Sequence, residues 1–102
     1  MVGYIANIAA GFFLCNCIPH LAAGLQGLPF PTPFAKPRGI GNSSPPVNFL
    51  WGFFNVLAGV LLLSYAPLDV GLNFGFLLFA LGALAFGIYL SRHFAAAKRH
   101  NP

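Results

Sequence analysis

The sequence predicts an all-α integral membrane protein: three transmembrane helices, the second and third forming an antiparallel hairpin, with a proline-rich first loop. Three observations lead there. Of 102 residues, 58% are hydrophobic and only 6% charged, whereas a soluble domain carries roughly 25% charged residues. The apolar residues fall in three uncharged runs, at residues 3–25, 47–66 and 70–91. Each is close to the roughly 20 residues that a hydrocarbon core of about 30 Å requires. Every charged side chain (Lys36, Arg38, Asp69, Arg92, Lys98 and Arg99) lies outside these runs, because a charge at mid-bilayer is costly. The composition also excludes a disordered chain, and two cysteines one residue apart exclude a disulfide-framed secreted scaffold.

The chain reads as one membrane domain over residues 1–102. The first run has no basic leader segment, and it exceeds the roughly 7–15 apolar residues of a signal peptide. It is therefore predicted to be a retained span. In loop 26–46, Pro29, Pro31, Pro33 and Pro37 prevent helix. Prolines alternating with Phe30 and Phe34 favour polyproline II geometry, with the rings expected either among lipid headgroups or folded back on the bundle as a lid. Residues 42–46, Asn-Ser-Ser-Pro-Pro, read as a helix start, with a serine cap and proline in the first turn. Trp51 falls one turn into the second span, where interfacial aromatics belong. Pro67 ends that span. Asp69 is expected to cap the third, where a negative charge suits the helix dipole, and so short a connection predicts a hairpin. The tail, residues 92–102, extends the third helix as a basic segment in which His93 and His100 are expected to be exposed and without chemistry.

Charge sets the orientation. With three spans, the first loop and the tail share one side, so all five Lys and Arg residues do too. The positive-inside rule then predicts a cell (inner) membrane protein with its N-terminus outside and its C-terminus cytoplasmic. Lipid and topology account for the net charge of +4 without any nucleic acid.

Small and polar residues mark where helices meet, since lipid removes the hydrophobic drive for association. Asn48, Gly52, Asn55 and Gly59 form one stripe on the second span. Gly71, Gly75, Gly82 and Tyr89 align on the third. Gly3, Asn7 and Gly11, then Asn16, His20, Ala23 and Gly27, align on the first. These glycine faces outnumber the contacts that three helices make with one another, so a homo-oligomer is expected. Asn55 lies roughly 12 Å along its helix, at a depth where an amide needs a partner or water.

Chemistry is sparse. Cys15, Cys17 and His20 are soft-metal ligand types, and Cys17 with His20 is the candidate metal pair. Cys15 and Cys17 point in opposed directions unless Pro19 opens the helix. An ionisable residue within a span marks His20 for function, with Asn16 one turn away as its expected partner. Lys36, Arg38 and Trp51 are the candidates for an anionic headgroup. One carboxylate side chain, no nucleophile beside a base and no phosphate loop argue against an enzyme or a resident cofactor.

The expected function is therefore a homo-oligomeric conduit or carrier for a small neutral or weakly polar solute. Asn7, Asn16, His20, Asn48, Asn55 and Asn73 would line its path. The alternatives are an accessory or lipid-binding subunit of a membrane complex, and a Cys/His metal binder.

Overall fold

The computed structural model describes residues 1–101. It is all-helical apart from one very short strand pair. Three helices run along it: α1 (Val2–Leu25), α2 (Pro45–Tyr65) and α3 (Phe74–His100). All three are long and apolar enough to cross a membrane. The 42 Å long axis matches a bilayer with its headgroup regions, about 40–45 Å.

Each boundary has a local cause. α1 runs through Pro19 without interruption. α2 starts as the sequence predicts: Ser44 is the N-cap, its hydroxyl accepts from the Val47 N–H at 3.5 Å, and proline occupies the first turn. α3 starts later than residue 70, and Asp69 is not its cap. Gly71 takes φ +147°, a conformation that only glycine adopts freely, and residues 70–73 stay outside the helix. Asn73 then caps α3, its Oδ1 accepting from the Phe76 N–H at 2.9 Å while its Nδ2 donates to the Asp69 carbonyl at 2.6 Å. The Asp69 side chain takes no part.

α1 is the central helix. It packs antiparallel against α2 and parallel to α3, whereas α2 and α3 scarcely touch. The hairpin expected from the short connection is therefore not a packed pair. Residues 66–73 separate the two helices, and both choose α1 because its small residues admit a neighbour on two sides. A Cβ on Gly24 would stand 2.6 Å from the Phe49 backbone nitrogen of α2. On the α3 side, one on Gly11 would strike the Phe79 carbonyl, and one on Gly82 would stand 2.6 Å from the Ile8 carbonyl oxygen. In return, Leu21 and Leu14 of α1 seat over Gly52 and Gly59 of α2. The four buried residues of α2 are Asn48, Gly52, Asn55 and Gly59, the predicted stripe. The α3 stripe is corrected: Gly71 lies outside the helix, Tyr89 is exposed, and the buried positions are Gly82, Leu90 and Ala97. Because most of these glycines are used within the chain, they lend no support to self-association.

The loop folds back on the bundle instead of forming a free polyproline segment. Strand β1 (Phe30–Pro31) pairs antiparallel with β2 (Asn42–Ser43). The Thr32 and Ser43 hydroxyls meet at 2.5 Å. α3 holds the far side of the loop: His93 Nε2 donates to the Gly39 carbonyl at 2.6 Å, and Asn101 Nδ2 donates to the Ile40 carbonyl. Loop and tail thus meet at one end of the bundle, bringing the five cations there, while Asp69 lies at the other end.

Candidate functional site

Two helices that both pack on α1 but not on each other leave a cleft, and the loop roofs one end of it. The result is a cavity of about 470 Å³. Its floor is α1, through Phe12, Phe13, Asn16 and His20. One wall is α2, through Trp51 and Asn55, and the other is α3, through Phe86, Tyr89, Leu90, His93 and Phe94. Pro31, Thr32, Pro33, Arg38 and Gly39 form the roof. Phe12 is 38% exposed and Tyr89 57%, so the cavity opens sideways past these two rings.

Its polar groups have fixed hydrogen-bonding roles. Asn48 is fully buried, and its Nδ2 donates to the carbonyls of Phe30 (2.9 Å), Ser43 (3.2 Å) and Ser44 (3.2 Å). Three surrounding acceptors fix the amide, because an oxygen cannot sit where Nδ2 does. Asn48 Oδ1 therefore accepts, and its contact with His20 Nδ1 at 2.8 Å requires the proton to be on Nδ1. In the neutral imidazole, Nε2 is then a bare acceptor. Three rings flank His20 edge-on: Phe30, Trp51 and Phe94 lie at centroid distances of 5.6, 6.4 and 5.9 Å.

The same logic fixes the second pair. Asn55 Nδ2 donates to the Trp51 carbonyl at 2.7 Å, so its Oδ1 must accept from Asn16 Nδ2 at 3.1 Å. Asn16 Oδ1 is left as a free acceptor. Both free acceptors, Asn16 Oδ1 and His20 Nε2, belong to side chains that line the cavity. Trp51 Nε1 is the one buried side-chain polar atom without a hydrogen-bond partner among the described residues. His93 also belongs to the site. Its Nε2 donates to Gly39, so it is half-buried and employed, not exposed and idle as the sequence suggested.

The structure thus brings Asn16, His20 and Asn55 together and leaves other candidates elsewhere. His20 pairs with Asn48, not with Asn16. Asn7, at the opposite end, donates to the Ala66 carbonyl at 2.9 Å. Asn73 caps α3, and Asn48 ties α1, α2 and the loop together behind the cavity wall. Of the headgroup candidates, Lys36 is exposed and Arg38 stands at the roof. Trp51 is half-buried, stacked on Phe54 and edge-on to Phe34, a wall of the cavity more than a free interfacial anchor. The Cys17 thiol donates to the Leu14 carbonyl at 2.9 Å. No group of three metal-ligating side chains gathers among the described residues. Sequence reasoning missed Phe86, His93 and Phe94, whose spacing on α3 (i, i+7, i+8) is an available signal for one helix face. No protein-family model, curated protein or solved structure matches the chain.

Proposed function

We propose that this chain crosses a bilayer three times and acts as a carrier for a small neutral or weakly polar solute, held in the cavity between α2 and α3. The observation behind this reading is the gathering of Asn16, His20 and Asn55 in an aromatic-lined cavity of about 470 Å³. Sites for small molecules are typically about 300–1,000 Å³, mainly apolar, with a few placed polar groups. Arg38 is the one charged residue of the lining, so an ionic solute would find little to replace its hydration. The bonding of Asn7, Asn48 and Asn73 to backbone carbonyls supports a binding compartment over a continuous polar conduit. The positive-inside rule supports placing the basic end, with loop and tail, in the cytoplasm.

Uptake into proteoliposomes tests the carrier. Saturable flux of a small neutral solute is expected, with a loss of about tenfold or more in Asn16→Leu, which removes the free acceptor. Flux no greater than in protein-free vesicles would contradict it. One observation favours the lipid-binding reading instead: a groove on the outer face, lined by Phe34, Val47, Leu50, Trp51 and Phe54, begins at the basic loop. Anionic phospholipid that co-purifies with a flux-inert protein would support that second reading.

A further inference from the structure

The hydrogen-bond roles around the cavity specify the ligand more narrowly than its size does. This step rests on the cavity being a solute site. Two polar groups there are unsatisfied: the acceptors Asn16 Oδ1 and His20 Nε2. The acceptor roles are not adjustable, because Asn48 and Asn55 are themselves locked by backbone carbonyls. An acceptor left unmet when a ligand displaces water from it costs free energy.

We propose that the cavity binds an uncharged lipophile bearing a hydroxyl group, such as a phenol or an alcohol, which donates to His20 Nε2. A hydroxyl is a small neutral group that supplies the donor these acceptors lack. Competing classes match less well. A ketone or quinone only accepts, which leaves both His20 Nε2 and Asn16 Oδ1 unmet. An ammonium ion donates too, but it must enter beneath Arg38 at the most basic end of the molecule. Aromatic walls suit the apolar body, and the lateral opening past Phe12 and Tyr89 admits it from the bilayer.

Trp51 is the sole tryptophan, so its fluorescence reports the site. The protein in nanodiscs is titrated with 4-octylphenol, with its methyl ether, which lacks the donor, and with octylammonium. Saturable change with the phenol, at about 10- to 100-fold higher affinity than the ether, is expected for a buried hydrogen-bond partner. His20→Asn retains a donor toward Asn48 but deletes the Nε2 edge. It should lower the phenol's affinity by about tenfold, abolish the discrimination and leave helical content unchanged. His20→Gln, which restores a polar atom near Nε2, should recover part of it. Equal binding of phenol and ether, or preference for the ammonium, overturns the hydroxyl assignment while leaving the solute site standing. Binding of none of the three probes overturns both.

Discussion

Replacing Asn48 with leucine removes the junction of the molecule while keeping the number of side-chain heavy atoms. The asparagine accepts from His20, and its two Nδ2 protons are shared among three carbonyls of the loop and the α2 cap. In membrane proteins each such bond contributes about 0.6 kcal/mol on average, and in soluble cores about 1. The sum is about 2–4 kcal/mol. Part is recovered, because the Ser44 carbonyl keeps the Asn48 backbone N–H at 3.0 Å and His20 is free to change tautomer. The loss therefore falls toward the lower end, about 2–3 kcal/mol. Reversible unfolding in mixed detergent micelles, followed by circular dichroism, measures it. Hydrogen exchange supplies a second readout: amides of residues 30–43 should lose protection, while those in the middle of α3 keep theirs. A destabilisation below about 0.5 kcal/mol with unchanged loop protection would refute the idea that this amide holds loop and helices together.

Further substitutions separate packing, capping and strapping. Gly82→Ala puts a methyl 2.6 Å from the Ile8 carbonyl oxygen and should cost about 1–3 kcal/mol in the same unfolding assay. Gly3→Ala, whose nearest neighbour is Ala66 Cβ at 3.8 Å, should be close to neutral. Asn73→Ala should cost about 1 kcal/mol as a lost N-cap, whereas Asp69→Asn should change stability little, since the Asp69 side chain does not cap α3. His93→Phe removes the bond to the Gly39 carbonyl. It should speed amide exchange at Gly39 and Gly41 by about 2- to 10-fold, the equivalent of one net hydrogen bond.

The three long apolar helices are legible because a bilayer's thickness sets the length expected of an uncharged run and charge is costly within one. The α2 stripe was legible too, since Asn48, Gly52, Asn55 and Gly59 recur at helical spacing and no other face of that helix is small. Partners were a different matter. Periodicity says which residues share a face, not which helix that face meets, so the pairs His20–Asn48 and Asn16–Asn55 were not readable. Nor was the central place of α1, which depends on Gly11 and Gly24 admitting two different neighbours. The α3 start was misplaced because Val70 and Leu72 look like span residues, while the positive φ of Gly71 is invisible to hydropathy. The loop's return depends on His93 and Asn101, whose partners are backbone carbonyls of ordinary appearance.

Sidedness labelling bears most directly on the three-span arrangement with its basic end in the cytoplasm. In a background with Cys15 and Cys17 replaced by serine, single cysteines are placed at Val70, 88% exposed at the acidic end, and at Ala96 in the basic tail. A membrane-impermeant thiol reagent applied to intact cells should modify Val70→Cys at once and Ala96→Cys only after permeabilisation. Modification of both from the same side, or of neither before lysis, would contradict it.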